Sequence, residues 1–400
     1  MINLGFIGVG GYGRAQVESF LPFHRSGRVR ICALADISRA ALDVATAFEG
    51  LQDAHCFTDY EALLAVDDLD AVVISVPIPF HEETALRAAE RGVFVLLEKP
   101  PVPLLSQLDR LIAADARGRT MVGFQHVYSP LLQRLKEIAW SGEIGQPLAF
   151  VGAGVWPRTT AYYERAGWAG KIFWKDRVTL DGPCTNGMSH FVNSLFFAAG
   201  DTPKGYALPT RLEGEVYRAR PIASYDLGGM CAELDNGCKF QALFSHAASG
   251  AVPVGIHVHG TSGKAALLEN NKLLREPSGR TTAGSDGRSE LVLAFLEMAE
   301  GKAEANLTPL AATRAYVLAT NMMFLSSGGI HAIDDSAVTG LPPASPDTVY
   351  EVTGFQEVFD AVVEQGVSLR AAGAPWAVQP RIVKQDEYDE AQLLDLLRKS

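Results

Sequence analysis

The stretch "INLGFIGVGGYG", residues 2–13, restricts the possible folds more than any other. A short apolar run ends in Gly8, Gly10 and Gly13, spaced GxGxxG. A helical pattern follows at once, with Ala15, Val17, Phe20 and Leu21 near one face. The chemistry of such a turn is main-chain chemistry. Gly8 permits the tight turn, Gly10 lets a pyrophosphate approach the backbone, and Gly13 lets the helix pack on the strand. The helix N-terminus then attracts the phosphate charge. Tyr12, inside the turn, joins this cofactor-binding set. Glycine-rich turns are common, so the context has to specify this one. "VRICALAD" is a second buried strand, and it ends in Asp36. That is about 20 residues past the glycines, where a dinucleotide site places an acid for the ribose hydroxyls. A carboxylate there repels a 2′-phosphate, so NAD(H) is expected over NADP(H). Arg39, three residues on, reads as a solvated helix residue.

The alternation continues. "DAVVISVP" and "VFVLLEKP" are strands with the unbroken apolar run of a parallel sheet buried on both faces. "HEETALRAAERG" is a helix ending at Gly92, "LLSQLDRLIAADARG" is another helix, and "TMVGFQH" is a further strand. Short connections between them predict a doubly wound parallel sheet, with ligands outside the carboxyl ends of the strands. Glu98 and Lys99 close a central strand on that side. Pro100 and Pro101 lock the chain as it leaves and keep the next helix from starting early.

A chain of 400 residues is too long for one ordinary core, so two domains are expected. The net charge of −11 and the lack of a Lys/Arg block argue against nucleic acid or an anionic membrane as partner. The five cysteines form no CxxC pair and are odd in number, which reads as reduced thiols in the cytoplasm. "MINLGFIGVG" has no basic leader, and no apolar run reaches the about 18 residues of a membrane span.

Beyond residue 125, "PLLQRLKEIAWSGEIGQP" reads as a helix and "LAFVGAGVWP" as a strand. "NGMSHFVNSLFFAAG" reads as one helix with His190, Asn193, Ser194 and Phe197 at turn spacing. Trp156, Arg158, Tyr162, Tyr163, Trp168, Lys171 and Trp174 precede it. Aromatic faces and long polar side chains suit a carbohydrate, with Arg158 and Trp168 the leading substrate contacts. "RLEGEVYRAR", "MCAELDNGCKFQALFSHA" and "GIHVHGTSGKAALLENNKLLREP" predict long antiparallel strands with "NG" and "SG" turns. His257 and His259 share one face of a strand, but no third ligand stands beside them and no metal is expected. The expected domains are 1–125, 126–340 and a C-terminal extension, 341–400, of unreadable role.

GxGxxG, Asp36 and Glu98-Lys99-Pro100 together resemble the Gfo/Idh/MocA family of sugar and polyol oxidoreductases. The resemblance runs to about residue 330. It implies an N-terminal Rossmann domain and a C-terminal α/β domain with a large open, mostly antiparallel sheet. That sheet is often used for oligomerisation, so a homo-oligomer, dimer or tetramer, is expected. The resemblance places Lys99 beside the substrate hydroxyl and the nicotinamide ribose, and Glu98 against the cofactor. A lysine near a positive charge and away from water can relay or steer a proton. "SVPIPFHEE" resembles the family's TPNxxH stretch. Pro77 and His81 are kept for the cofactor, and Ile78 stands at the Asn position. "GFQHVYSP" puts Gln125 where Asn is common, able to bond the nicotinamide ribose or substrate. The family helix carries Asp-x-x-x-His. His190 matches the histidine that takes the proton, but the aspartate position is Asn186. An amide bonds hydroxyls but cannot be an anion. Asp181, in the turn "TLDGP", is the other carboxylate near that helix. Its simplest reading is a turn residue.

The expected function is transfer of a hydride between NAD(H) and a secondary alcohol of a sugar, polyol or related compound. Lys99, His190 and Asn186 then form the catalytic set. The first alternative is an NAD-dependent glycosidase working by transient oxidation and elimination. The second is a non-catalytic sensor of nucleotide and sugar, for which Asn186 is the best support.

Overall fold

The apolar runs of the first third become six parallel strands. In chain order they and their crossovers are β1 (Ile2–Ile7), α1 (Tyr12–Arg25), β2 (Val29–Ala35), α2 (Arg39–Thr46), β3 (His55–Phe57) and α3 (Tyr60–Leu64). Then come β4 (Ala71–Ile74), α4 (His81–Arg91), β5 (Phe94–Leu97), α5 (Leu105–Ala114) and β6 (Thr120–Val122). The sheet order is β3-β2-β1-β4-β5-β6. The winding therefore reverses between β1 and β4, and their carboxyl ends flank the switch point where such sheets bind ligands. The central strand β4, an unbroken Ala-Val-Val-Ile run, is buried on both faces, and β1 beside it is buried at all but one position. Local chemistry sets the helix ends. Ser38 and Asp59 accept the first-turn N–H groups of α2 and α3, and left-handed Gly92 (φ 77°) stops α4.

The computed structural model describes residues 1–276, 279–340 and 345–400. They divide into two units. The first takes in Met1–Val102, Ser106–Tyr128 and Gly287–Thr313. The second takes in Pro103–Leu105, Ser129–Asp286 and Arg314–Ser400.

In the second unit α6 (Pro130–Trp140) leads to β7 (Pro147–Val155), α7 (Thr160–Glu164), the ribbon β8 (Phe173–Trp174) and β9 (Arg177–Val178), and α8 (Ser189–Ala199). The meander β10 (Pro209–Arg218), β11 (Leu227–Leu234), β12 (Lys239–Ser245), β13 (Val252–Gly260), β14 (Lys264–Leu268), β15 (Lys272–Glu276) and β16 (Arg280–Ala283) follows. After α9 (Arg288–Ala299) come α10 (Arg314–Ser327), β17 (His331–Ala332), the ribbon β18 (Val338–Thr339) and β19 (Glu351–Val352), α11 (Phe355–Gln365), β20 (Val383–Lys384) and α12 (Glu390–Lys399). The large sheet is ordered β16-β15-β14-β13-β7-β12-β11-β10-β17, with β20 added against β10. It is antiparallel except where β7 meets β12 and β10 meets β17.

Two rows of paired residues show how this sheet is covered. Gly152, Ala242, Met230 and Gly214 pair in succession. A Cβ at Gly152 would strike Leu195 of α8, and one at Gly214 would strike Met323 of α10, so both helices lie on this face. The adjacent row, Ala153, Leu243, Gly229 and Glu215, points the other way. There Ala153 and Leu243 share a core with Phe355, Phe359 and Val362 of α11 and with Leu369.

Two boundaries expected from the sequence are corrected. Helix α9 and the segment to Thr313 belong to the first unit, not to a 126–340 domain. Phe295 packs edge-on against Phe20, which packs edge-on against Phe6. Arg28 pairs with Glu300 at 2.8 Å, and Val122 N–H donates to the Thr308 carbonyl at 2.9 Å. The described part of 341–400 is no separate extension, since α11 and β20 complete the second unit's sheet and core.

Candidate functional site

The first unit gathers Gly8, Gly10, Gly13, Asp36, Glu98 and Lys99 at the carboxyl ends of its strands. Gly8 N–H donates to the Ala35 carbonyl and Ser75 N–H to the Ile7 carbonyl, both at 2.8 Å, so the turn is stitched to β2 and β4. Gly8 has φ 84°, and a Cβ there would lie 2.7 Å from the Ser75 carbonyl oxygen. A Cβ on Gly13 would collide with the Gly8 carbonyl. Both positions need glycine for the fold itself. Gly10 does not: a Cβ there would meet nothing nearer than Ala41 Cβ and Asp36 Oδ2, at 3.4 Å. The fold itself therefore does not require glycine at this position, while close main-chain approach by a pyrophosphate would. Helix α1 begins after Gly11 (φ 52°), which as the N-cap residue has no side chain to cap it. Tyr12, 44% exposed, opens the helix with the Arg288 guanidinium 5.6 Å from its ring centre.

Asp36 reaches back to this turn. Its Oδ2 accepts from Val9 and Gly10 N–H at 3.0 Å each, and its Oδ1 accepts from Ser38 N–H at 2.8 Å. Oδ1, with one donor against the two on Oδ2, retains lone-pair capacity for a hydroxyl donor. Glu98 is buried beneath Lys99. Its Oε1 accepts from the Gln16 amide and its Oε2 from Lys99 N–H. Burial pushes this carboxyl up, against the pull of the Lys99 and Arg288 cations. The Lys99–Pro100 bond is cis. Gln125, 7% exposed, lies in the 3₁₀ turn Gln125–Tyr128 after β6, and Pro77 caps the 3₁₀ turn Ile78–Phe80 after β4.

His81 is a correction. It is 1% exposed, and its ring nitrogens lie 2.8 Å from the Pro100 and Val76 carbonyls. The enclosed ring lies between the end of β4 and the turn after β5. Burial holds its pKa down.

The second unit holds the other constellation, built where β7, α7 and the start of α8 come together. Arg158 stacks over Trp156 (5.4 Å) and Tyr162 (4.9 Å), and Arg165 stacks over Tyr162 (3.7 Å) and Trp168 (4.9 Å). The expected Arg158 and Trp168 thus stand in one alternating series of rings and guanidinium planes, each contact of cation–π type. Tyr163 OH and His246 Nδ1 are 3.0 Å apart, and both side chains are buried. Burial, then Arg158, Arg220 and Arg165, hold His246 well below its usual pKa. The ring is therefore neutral, and its Nε2 has no hydrogen-bond partner among the described residues. A Cβ on Gly187 would come within 2.7 Å of that Nε2. Arg220 pairs with Asp226 at 2.8 Å, and both are almost fully buried.

The expected helix from Asn186 to His190 is also corrected. Gly182 packs so closely on the Tyr225 ring that a Cβ would enter it. Thr185 N–H donates to Tyr225 OH at 3.0 Å. The chain answers these anchors with a π-turn over Pro183–Gly187, and α8 starts only at Ser189. Asn186 and His190 are therefore not one turn apart on a common helix. Asp181, read from the sequence as a turn residue, is instead 2% exposed. Its Oδ1 accepts from Asn186 Nδ2 at 2.7 Å, its Oδ2 accepts from Gly170 N–H at 2.7 Å, and Arg165 lies 3.8 Å away. Leu180, immediately before it, is held at φ 52°, strained for a branched residue. His246 and Arg288 carried no motif in the sequence. Among the described residues no group of three His, Cys, Asp or Glu side chains could hold a metal, and no helix is long and apolar enough to cross a membrane.

Comparisons with known proteins bear on the fold and on the first unit. Residues 2–126 match the model of an oxidoreductase family with an NAD-binding Rossmann fold. Inositol 2-dehydrogenase of Streptomyces avermitilis is 35% identical over 151 residues, 37% of this chain and 43% of that protein. The Corynebacterium glutamicum (strain R) inositol 2-dehydrogenase is 30% identical over 154 residues, 38% of this chain and 44% of that protein. The chain thus matches less than half the length of these relatives. Among solved structures, the WlbA dehydrogenase from Bordetella pertussis in complex with NADH and UDP-GlcNAcA has a TM-score of 0.69 at 20% identity. That match covers 82% of this chain and 96% of that one. A levoglucosan dehydrogenase complexed with NADH and L-sorbose gives 0.68 at 16%, with the same coverage. At such identities the likeness is one of fold.

Proposed function

From the match of residues 2–126 to the Gfo/Idh/MocA oxidoreductase family we propose that the chain is an NAD(H)-dependent dehydrogenase or reductase acting on a secondary alcohol of a sugar or polyol. The observation that carries the reading is the cradle over Gly10. A glycine that the fold does not need stands beside the Asp36 carboxylate and a helix N-terminus whose N-cap, Gly11, has no side chain. Gly8, Gly10, Tyr12 and Gly13 would hold the pyrophosphate, and Asp36 the ribose hydroxyls. Pro77 and Gln125 would bound the nicotinamide end, and Glu98 would fix Lys99 from below. Bound nicotinamide supplies the hydride acceptor or donor.

The protein's own task is the alcohol proton. Lys99 donates to or accepts from the reacting hydroxyl, His190 takes the proton, and Asn186 binds a neighbouring hydroxyl. Arg158 and Trp168 hold the sugar by its hydroxyls and its apolar face. The inositol dehydrogenases make a cyclic polyol the first substrate class to test.

The test is titration with NADH and NADPH by nicotinamide fluorescence, then a panel of inositols, sugars and uronates with NAD. NADH should bind more tightly than NADPH, and at least one cyclic polyol or sugar should turn over. Lys99→Ala should lose turnover and keep NADH binding. Failure to bind either nucleotide would overturn the reading.

A further inference from the structure

An asparagine in place of a carboxylate looks like a loss of function, because an amide can present either a donor or an acceptor. Here its neighbour removes the choice. Asp181 Oδ2 takes the Gly170 N–H, and Arg165 stands 3.8 Å away, so this buried carboxylate is an acceptor with a cation beside it. Its Oδ1 lies 2.7 Å from the Asn186 side chain. Two oxygens cannot share that contact unless one carries a proton, so the amide must offer its NH₂ to Asp181. The Asn186 carbonyl oxygen then faces away from Asp181. The strained Leu180 and the π-turn hold the two residues in this register.

We propose that Asp181 is a positioning residue that locks Asn186 as a hydrogen-bond acceptor, so that the pair receives a substrate hydroxyl as a single carboxylate would. The inference rests on the polyol dehydrogenase reading and deepens it. The site selects a substrate with a hydroxyl donor at this point, not a carbonyl or ether oxygen.

The argument singles out one nearly isosteric variant. In Asp181→Asn the new side chain keeps an oxygen for Gly170 N–H and turns its NH₂ to position 186. The Asn186 amide must flip to accept that NH₂, and it then presents a donor to the substrate. The fold and its hydrogen bonds are kept while the polarity of the site is inverted. A second change repairs it. In the double variant D181N/N186D the residue at 186 accepts from position 181 and still offers an oxygen to the substrate.

The experiment measures kcat/KM of wild type, D181N and D181N/N186D with NAD and myo-inositol, or with whichever polyol of the panel turns over. NADH titration and thermal unfolding serve as controls. Side-chain amide signals of Asn186 in ¹H–¹⁵N spectra report its orientation without any substrate. We expect D181N to bind NADH and unfold like wild type, to lose about ten- to hundredfold in kcat/KM, and to lose exchange protection at the Asn186 amide. The double variant should recover most of the loss. Wild-type kinetics in D181N, or a double variant no better than D181N, would overturn the proposal. So would an unprotected Asn186 amide in the wild type. A wild type that binds NADH but turns over no polyol would instead count against the dehydrogenase reading, and the amide signals would still decide the orientation.

Discussion

Gly10 and Gly13 stand three positions apart and answer to different masters. Gly13 is fixed by contact with its own backbone, Gly10 only by room for a ligand. Gly10→Ala should therefore leave the melting temperature within about 2 °C of wild type while NADH affinity falls about tenfold or more. Gly13→Ala should lower both. Equal losses of stability would contradict the distinction. The glycines and the Glu98-Lys99 pair were legible in the sequence because main-chain geometry and strand ends leave local marks. Asp181 was not, because its burial depends on Gly170, Arg165 and Asn186 meeting it from separate turns. Two buried histidines set a pH response at the same scale. Burial lowers both His81 and His246 from 6.5, with the surrounding arginines adding to the effect at His246. As pH falls through 6.5 the unfolded chain gains protons that the folded chain refuses, so stability held above 6.5 is lost below it. Urea midpoints at pH 7.5, 6.5 and 5.5 should fall in wild type, and fall less steeply in His246→Gln.

Among the elements, α8 shows where sequence periodicity stops informing. Read from the sequence, the helix reaches back to residue 186, yet Tyr225, from another part of the chain, anchors Gly182 and Thr185 and the helix starts only at Ser189. The far end of α8 is set by α6. Buried Lys136 donates to the Phe197 carbonyl at 2.7 Å and to the Gly205 carbonyl at 2.6 Å, and lies over the Phe197 ring. Burial lowers its pKa from 10.5 to about 7. Between these values the unfolded chain holds a proton that the folded chain has released, so stability should rise as pH goes from 7 towards 10.5. Lys136→Met should remove that rise, and with it the two hydrogen bonds that tie the last turn of α8 to the loop at Gly205. Chemical denaturation at pH 7, 8 and 9 reads both effects.

For the molecule as a whole, the sequence predicted a large mostly antiparallel sheet in need of cover but could not say what covers it. Part of the answer lies in the chain's own last stretch. Glu215, on the face opposite α8, accepts from Leu369 N–H (2.7 Å), Arg370 N–H (3.1 Å) and Tyr217 OH (3.0 Å), and Phe355 and Phe359 fill the core beside it. Such contacts join residues more than 150 positions apart, and no local pattern announces them. A chain stopped at residue 340 should expose Val155, Leu243 and Tyr217 and form larger assemblies than the full chain. Light scattering after gel filtration checks this, and an unchanged mass would show that the tail is dispensable. The return of α9 to the first unit has a different consequence. The nucleotide-binding half is not a prefix of the polypeptide, and cutting after residue 128 strands Phe20 without Phe295 and Val122 without the Thr308 carbonyl. This half therefore cannot be transplanted as one continuous cassette. Any exchange of substrate halves with another protein has to be made as an insertion, spliced at both ends of 287–313.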